Sequence, residues 1–239
     1  MKKIVSPGKP KPANPNPIPE FRIRHSHFPT PVSIMLRTFV KINSVTNLSD
    51  ARYCAAMGVD MLGFAIDPLL PGYVEPDRFR AITEWVAGVA FAGETAGFAD
   101  VSTGSGLAAY PVKWLEASQA DWPALRNLGL GLICRVAWTE NDTLPDFQSR
   151  HAAAAPHVDY FLLESDMAQL TGEVKYHLKQ VAEQYPVLLG FGVSKDTILT
   201  VLSEMPLAGI ALRGGHETRP GQRDFSGLAE ILELLETDE

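Results

Sequence analysis

Short apolar runs recur every 20–30 residues from Phe39 to the end of the chain. The eight runs cover residues 39–43, 61–66, 88–92, 111–115, 130–136, 158–163, 186–190 and 208–212. Most of them are almost continuously apolar, which is typical of parallel strands covered on both faces. We therefore predict a β-strand at each run.

Amphipathic stretches with helix signals separate these runs. Asn47 or Ser49 can cap a helix that ends at Gly58, and Pro76 suits the first turn of the next helix. Ser194 is expected to cap the helix that follows the seventh run. The last helix presents one apolar face, formed by Leu228, Ile231, Leu232 and Leu235.

Eight strand–helix units within residues 39–239 indicate an α/β fold, a (β/α)8 TIM barrel. A doubly wound open sheet is the alternative, and the count of eight favours the barrel. No Gly-x-Gly-x-x-Gly motif follows the first strand, which argues against a dinucleotide-binding domain. In a barrel, the functional residues are expected where the strands end and the following loops begin.

Residues 1–38 differ from the rest of the chain. They hold seven of the basic residues, one acid (Glu20) and eight of the 18 prolines, so their local charge is +6 against −13 for residues 39–239. Such a segment buries little surface, and we predict a flexible, disordered arm over 1–38 beside a single barrel domain over 39–239. The arm is either a dispensable tail or a segment that docks on the acidic body or on a partner protein.

Composition narrows the class of protein. Apolar residues make up 46% and charged residues 21% of the chain, as in ordinary globular proteins. The net charge of −7 argues against a nucleic-acid binder, and no apolar run reaches the ~20 residues of a membrane helix. Two cysteines allow no disulfide framework, and no histidine pair has metal-site spacing, so we expect a cytoplasmic protein without metal or cofactor.

Glycine pairs follow the last two predicted strands. Gly190 and Gly192 follow the seventh strand, and Gly214 and Gly215 follow the eighth, directly after Arg213. Glycines at these points let backbone N–H groups approach an anion, and barrels commonly bind phosphate there. These five residues are therefore candidates for a phosphate site. Alternatively, the glycines only permit tight turns, and the Arg213 side chain joins a neighbouring ion pair.

Several segments resemble one enzyme family. Residues 40–51 (VKINSVTNLSDA), 58–64 (GVDMLGF) and 71–74 (PGYV) are similar to the start of phosphoribosylanthranilate isomerase, and 189–198 (LGFGVSKDTI) and 209–217 (GIALRGGHE) to its last part. The resemblance covers most of 39–239 and is weak between about 93 and 155. It implies a (β/α)8 enzyme of tryptophan biosynthesis that isomerises an aminoaldose phosphate to an aminoketose phosphate.

The resemblance also implies that catalytic positions are substituted. The family's base, the cysteine of Lys-Ile-Cys-Gly, matches Asn43, and its acid, the aspartate of Leu-Leu-Asp-Ser, matches Glu164. The arginine that binds the anthranilate carboxylate matches Gly72. An amide cannot take up a proton near neutral pH, so we expect the family's reaction to be weak or lost.

Other residues are candidates for the same pocket. Asp67, just past the second strand, is either a substitute base near the substrate or a cap of the turn before Pro68. His216 follows the last glycine pair, where it could touch a ligand phosphate. Glu94 and Glu116 lie near strand ends and are expected to be solvated.

Two functions remain open at this point. The first is an isomerase with an altered site, in which Glu164 is the acid and either a water or Asp67 is the base. The second is a non-catalytic homologue, that is, a pseudoenzyme. It would bind a phosphorylated small molecule or serve as a regulatory, partner-binding subunit. In the second case the basic arm offers an additional contact surface for the partner protein.

Overall fold

Eight parallel strands close into a barrel, with β8 pairing back to β1. The structure is a computed structural model, and it describes residues 35–97, 105–118, 120–214, 217–219, 222–223 and 226–237. The strands follow chain order: β1 (Phe39–Asn43), β2 (Met61–Ala65), β3 (Ala90–Glu94), β4 (Trp114–Ala117), β5 (Gly131–Ala137), β6 (Tyr160–Glu164), β7 (Val187–Leu189) and β8 (Gly209–Arg213). The predicted (β/α)8 fold is confirmed.

Helices separate the strands, as the amphipathic stretches predict. They are α1 (Leu48–Ala56), α2 (Pro76–Thr83), α3 (Ser105–Ala108), α4 (Trp122–Arg126), α5 (Leu144–His151), α6 (Gly172–Ala182), α7 (Ile198–Glu204) and α8 (Ser226–Leu235). Between β8 and α8 a short antiparallel pair is formed by β9 (Glu217–Arg219) and β10 (Gln222–Arg223).

Two strands lie later in the chain than their apolar runs predict. The run at 88–92 becomes β3 at Ala90–Glu94, and the run at 111–115 becomes β4 at Trp114–Ala117. Both strands extend through a glutamate whose side chain is buried inside the barrel. The apolar pattern does not predict a glutamate inside a buried strand. A buried charge is tolerated only with a partner, and here the partner comes from another strand.

Local capping follows the sequence at most helix ends. The Asn47 side chain accepts a hydrogen bond from the N–H of Asp50, and Pro76 is the first residue of α2. The expectation for Ser194 is wrong, because α7 begins at Ile198 and its N-cap is Thr197. The intervening residues form a turn, in which the Ser194 carbonyl accepts from the N–H groups of Thr197 and Ile198.

The barrel interior changes character along its axis. An apolar layer fills part of the interior, and its buried members are Met61, Ala92, Ile133, Leu162, Leu188 and Ala211. Polar and charged side chains lie two residues further along several of the same strands, among them Glu94, Arg135 and Glu164. The interior is therefore packed below and polar at the carboxyl ends of the strands, where barrels carry their sites.

Most of the predicted arm lies outside the described residues. Its last residues, 35–38, are described and attach to α8 and the residues after it: Leu36 forms a bridge with Glu236, and the N–H of Arg37 donates to the Leu235 carbonyl at 2.8 Å. The described body therefore starts earlier than residue 39.

Candidate active site

Three charged side chains meet inside the barrel near the carboxyl ends of β1, β3 and β4. Lys41 is fully buried, and Glu94 and Glu116 are nearly so. Lys41 Nζ lies 3.0 Å from Oε1 of Glu94 and 2.7 Å from Oε2 of Glu116. The N–H and hydroxyl of Ser44 each donate to the Glu94 carboxylate at 3.0 Å. The expectation that both glutamates are solvated is wrong, because a buried ammonium group pairs with them.

Burial and pairing together set the protonation of this cluster. Burial alone would lower the pKa of Lys41, but the charges of Glu116 and Glu94 outweigh it and raise that pKa. Burial alone would raise the pKa of Glu94, but the Lys41 charge outweighs it and lowers that pKa. Burial raises the pKa of Glu116, and Lys41 and Arg135 do not fully offset this effect. The Lys41–Glu94 pair is therefore ionic at neutral pH.

A glycine makes room for this pair. A Cβ atom on Gly63 of β2 would lie 1.9 Å from Oε1 of Glu94 and 2.7 Å from Nζ of Lys41. No side chain fits between the strand backbone and the ion pair. Gly63 is therefore required for the close approach of β2 to the charges, rather than for an unusual backbone angle.

Arg135 of β5 extends the cluster toward β6. Its guanidinium donates to Oε1 of Glu116 at 2.9 Å and to the Thr95 carbonyl at 2.6 Å. Its Nε also lies 4.0 Å from Oε2 of Glu164. The cation thus links the buried acids of the interior to the carboxylate at the barrel mouth.

Asn43 and Glu164, which the resemblance places at the base and acid positions, are in contact. Asn43 Oδ1 accepts a short hydrogen bond from Lys41 Nζ, and its Nδ2 donates to Oε1 of Glu164 at 3.3 Å. The guanidinium of Arg213 lies 3.4 Å from the same Glu164 oxygen. Both polar atoms of the Asn43 amide are therefore occupied by protein partners.

Two adjacent cavities open at this end of the barrel. The β5–β6 cavity, of about 870 Å³, is lined by Asn43, Ser118, Arg135, Ala137, Trp138, Thr139, Glu140, Glu164, Ser165, Asp166, Met167, Gly190, Ala211 and Arg213. The β7–β8 cavity, of about 800 Å³, is lined by Ala168, Gly190–Asp196, Ala211–Arg213, Ser226–Leu228, Glu230 and Ile231. They share Gly190, Ala211 and Arg213, so one ligand can reach both.

A third space, the β1–β4 cavity, is much smaller. Its volume is about 80 Å³, and its lining residues are Asn43, Ser44, Ala65, Leu70, Pro71, Glu94, Glu116, Arg135 and Arg213. The charged cluster occupies the side of the mouth that faces the loop after β2. The open volume lies on the side of β5 to β8.

The structure places the candidate phosphate residues as follows. Gly190 and Gly192 line the β7–β8 cavity, and Gly192 has a φ of 67°, which favours glycine. The first residues of α8 line the same cavity, where the positive end of the helix dipole favours an anion. Gly214 follows β8 without lining either large cavity, and Gly215 and His216 lie outside the described residues.

The Arg213 side chain forms an ion pair, which is the alternative to phosphate binding that the sequence left open. Its guanidinium reaches the Glu164 carboxylate, although its residue lines both large cavities. The side chain is 60% exposed, and no other ion pair is formed with it in the described part of the chain. It can therefore reorient toward an anion at modest cost.

Two other candidates do not reach the large cavities. The Asp67 carboxylate accepts hydrogen bonds from the N–H groups of Leu69 and Ala96, both at 2.9 Å, and is buried. This geometry matches its role as a turn cap rather than as a base. Gly72 has a φ of 76°, and a Cβ there would meet Thr46 at 3.3 Å.

Neither cysteine lines the two large cavities. Cys54 and Cys134 are buried in the layer between barrel and helices. Burial raises the pKa of each thiol to about 12, so neither forms thiolate near neutral pH.

Glu94, Glu116 and Arg135 form the part of the site that the sequence reasoning missed. One signal was present, because Lys41 interrupts an apolar strand. A buried lysine needs a carboxylate partner, and the carboxyl ends of neighbouring strands are where that partner is found.

None of the helices formed by the described residues has the length and apolar character needed to cross a membrane. Within the same ranges, no group of three or more histidine, cysteine, aspartate or glutamate side chains is arranged to hold a metal ion.

Comparisons with known proteins agree with this geometry. The N-(5'-phosphoribosyl)anthranilate isomerase of Synechococcus sp. (strain JA-3-3Ab) is 30% identical over 220 residues, which is 85% of this chain and 93% of the relative. The enzyme of the same name from Maridesulfovibrio salexigens is 26% identical over 210 residues, 82% of this chain and 97% of its own. No family model matches the chain.

Solved structures support the same fold. Phosphoribosyl anthranilate isomerase from Thermotoga maritima superposes with a TM-score of 0.67 at 16% identity, over 82% of this chain and 97% of that one. Another phosphoribosyl anthranilate isomerase, in complex with reduced 1-(o-carboxyphenylamino)-1-deoxyribulose 5-phosphate, has a TM-score of 0.65 at 17% identity, with the same coverage of both chains.

Proposed function

Because this chain belongs to the phosphoribosylanthranilate isomerase family, we propose that it binds a phosphorylated ligand across the β7–β8 and β5–β6 cavities and performs the family's isomerisation weakly or not at all. The observation that carries this proposal is the environment of Asn43. The proposal assigns phosphate binding to the β7–β8 cavity and the family's chemistry to Asn43 and Glu164, which line the β5–β6 cavity.

The isomerisation needs a base that removes a carbon-bound proton. Asn43 stands at the position of the family's cysteine, and its carbonyl oxygen accepts from Lys41 while its amide nitrogen donates to Glu164. The amide is thus not basic, and its oxygen and one of its N–H groups already have protein partners. Loss of a positioned base typically lowers the rate ~10²–10⁴-fold.

The nearby carboxylates do not readily replace that base. Glu94 and Glu116 are buried against Lys41, and Asp67 is held by two backbone N–H groups. Within the charged cluster only Glu164 is partly exposed, and it stands at the position of the family's acid; Glu140 and Asp166 also line the β5–β6 cavity, on the loops after β5 and β6. One group cannot be both the acid and the base of a single proton-abstraction step.

Glu164 is also poorly matched to the role of acid. Its side chain is one methylene longer than the family's aspartate, and misplacement on the scale of 1 Å can cost ~100-fold in rate. Its carboxylate faces three donors, on Asn43, Arg135 and Arg213, all at 3.3–4.0 Å.

The phosphate half retains the features that anion binding requires. Gly190 and Gly192 line the β7–β8 cavity beside the first residues of the ten-residue helix α8. Backbone N–H groups and the helix dipole act together on an anion. Arg213, at the junction of the two cavities, adds a mobile positive charge.

Turnover of phosphoribosylanthranilate, followed by the change in its fluorescence, tests the proposal. We expect the unmodified chain to fall ~10²-fold or more below ordinary enzyme rates, and N43C/E164D to gain activity. The matched control is N43S/E164D, which restores the shape of the site without a thiol base. Gly72→Arg is added only afterwards, with thermal stability monitored, because its φ of 76° strains any other residue.

Turnover by the unmodified chain at ordinary rates, a kcat of roughly 1–10³ s⁻¹, would overturn the catalytic half of the proposal. Failure of inorganic phosphate and of every phosphorylated probe to bind would overturn the binding half. Equal gains in N43C/E164D and N43S/E164D would show that the missing thiol is not the cause of the deficit.

A further inference from the structure

On β1, a buried lysine amine lies beside the carbon atom of an asparagine amide. Lys41 Nζ donates to Oδ1 of Asn43 at 2.5 Å, and both side chains are buried. A carbonyl bond is about 1.23 Å long, so Nζ lies within about 3.7 Å of Asn43 Cγ. Reacting atoms in a near-attack arrangement are about 3–3.5 Å apart. A small shift of either side chain therefore brings the amine to the distance from which it can attack the amide carbon.

Two buried carboxylates contact the same nitrogen and can accept its protons. Oε2 of Glu116 lies 2.7 Å from Lys41 Nζ, and Oε1 of Glu94 lies 3.0 Å from it. Burial raises the pKa of Glu116, whereas the Lys41 charge lowers the pKa of Glu94. Glu116 is therefore the stronger base of the two. A proton that passes to it leaves a neutral amine, which is the nucleophilic form of lysine.

The surroundings of Asn43 give a leaving group an exit. Its Nδ2 lies 3.3 Å from Oε1 of the partly exposed Glu164, and both residues line the open β5–β6 cavity. Ammonia released from this nitrogen can leave through the cavity. Because the ammonium form of Lys41 prevails at neutral pH, the reaction is slow, but departure of ammonia makes it irreversible and the product accumulates.

We propose that Lys41 and Asn43 form an intramolecular isopeptide bond in the folded chain, with Glu116 as the proton acceptor. The new bond joins Lys41 Nζ to Asn43 Cγ, and the bond between Cγ and Nδ2 breaks. The ammonium group gives up two protons, of which one leaves with Nδ2 as ammonia and the other stays on Glu116. The chain loses one molecule of ammonia, and the net charge of the buried cluster is unchanged.

The proposed bond is independent of the proposed function, because it needs no ligand. It uses only groups that the fold already holds together, and holding two reactants in place removes much of the barrier to their reaction. Gly63 contributes to this arrangement, since a Cβ atom there would lie 2.7 Å from Lys41 Nζ. The absence of a side chain on β2 therefore leaves the amine its place beside Asn43.

Tryptic peptide mapping of the purified full chain by mass spectrometry tests the proposal. In an unlinked chain trypsin cleaves after Arg37, Lys41 and Arg52, whereas a lysine in an isopeptide bond is not cleaved. We expect an uncleaved peptide of residues 38–52 whose mass is lower by one ammonia. Fragment ions from its two ends should place the loss within residues 41–43, and its share should rise during incubation at neutral pH.

Variants assign the reaction to the named groups. Lys41→Arg keeps the charge but removes the amine, and Asn43→Ser removes the amide, so neither should lose ammonia at this site. Glu116→Gln should slow the reaction ~10²-fold or more, because it removes the proton acceptor. Glu84→Gln, a matched change at the exposed end of α2, should leave the rate unchanged. Asn43→Ser keeps the test decisive if Lys41→Arg does not fold.

Three results would overturn the proposal. Complete cleavage after Lys41, with a peptide of residues 42–52 at its full mass, would show that the two side chains stay unlinked. Loss of ammonia with cleavage after Lys41 retained would mean that Asn43 forms a cyclic imide with the next backbone nitrogen instead. Equal rates of cross-linking in the folded chain and in a chain kept unfolded in guanidinium chloride would show that the fold does not promote the reaction.

Discussion

At the scale of single residues, the proposed loss of the family's reaction depends most on the partners of one amide. Asn43 is held by Lys41 on one side and Glu164 on the other. A cysteine at this position could make neither bond with comparable strength, because a thiol is a weak donor and a weak acceptor. The substitution that we propose at this position therefore removes a nucleophilic, titratable group, and the Asn43 amide connects β1 to β6.

We expect one residue, His151 on α5, to make the free energy of unfolding depend on pH. Its ring lies 5.0 Å from that of Phe147, its Nε2 is buried without a partner among the described residues, and burial, with the Arg150 charge, lowers its pKa from 6.5. The unfolded chain therefore takes up a proton near pH 6.5 while the folded chain does not. Stability should fall as the pH drops below about 6.5.

Urea unfolding between pH 7.5 and 5 measures this effect. The free energy of unfolding would fall by ~1.4 kcal/mol per pH unit if only the unfolded chain bound the proton. Because His151 is only half buried, we expect a fraction of that change. His151→Leu should reduce the change in the free energy of unfolding with pH. Ser149→Ala, at an exposed position on the same helix, should leave that change as it is. An unchanged slope in His151→Leu would contradict the assignment.

At the scale of elements, the contacts of β2 with β1 and β3 depend on the absence of a side chain. Gly63 faces the Lys41–Glu94 pair, and a Cβ there would lie 1.9 Å from the Glu94 carboxylate. Any larger residue displaces one member of a buried ion pair. The small residue in β2 and the charges in β1 and β3 are therefore a matched set.

Gly63→Ala should lower the free energy of unfolding by ~3 kcal/mol or more, because a buried pair is separated. Gly172→Ala is the matched control, since that glycine begins α6 with nothing within 4 Å of a new Cβ. We expect the control to change stability by less than ~1 kcal/mol, in the stabilising direction. Urea unfolding measures both, and a cost below ~1 kcal/mol for Gly63→Ala would refute the steric argument.

At the scale of the whole molecule, alternating charges cross the barrel mouth. In order of contact, the members are Glu94, Lys41, Glu116, Arg135, Glu164 and Arg213. The first members are buried and the last is largely exposed. The buried members fill the side of the mouth beside the loop after β2, and the two large cavities lie on the side of β5 to β8.

Lys41→Met tests how much this cluster contributes to the free energy of unfolding. Removal of the ammonium group leaves Glu94 and Glu116 without their shared cation, and we expect a loss of ~3–5 kcal/mol at pH 7. In the variant, burial raises the pKa of both acids, so they take up protons and the deficit shrinks as the pH falls toward 5. Lys175→Met, which removes an exposed pair with Glu204, should cost less than ~1 kcal/mol.

Urea unfolding of wild type, Lys41→Met and Lys175→Met at pH 7 and pH 5 provides the comparison. A deficit in Lys41→Met that stays constant between the two pH values would mean that the carboxylates do not take up protons. The cluster would then contribute packing rather than charge pairing.

The sequence by itself determined the eight strands, the barrel and the candidate glycines, because apolar periodicity, helix caps and turn residues act through near neighbours in the chain. The resemblance to the isomerase family, rather than these local signals, identified Asn43 and Glu164 as candidates. The register of β3 and β4 did not, since each strand continues through a glutamate that a local pattern treats as a solvated end.

Only the tertiary structure decided which charges meet. Lys41 and Glu94 are 53 positions apart, and the parallel pairing of β1 and β3 on either side of β2 brings them to 3.0 Å. The tertiary structure also turned Arg213 toward Glu164, fixed Asp67 as a turn cap and left the open volume on the β5–β8 side. A charge becomes buried or solvated according to its partners, and distant partners are a property of the folded chain rather than of the local sequence.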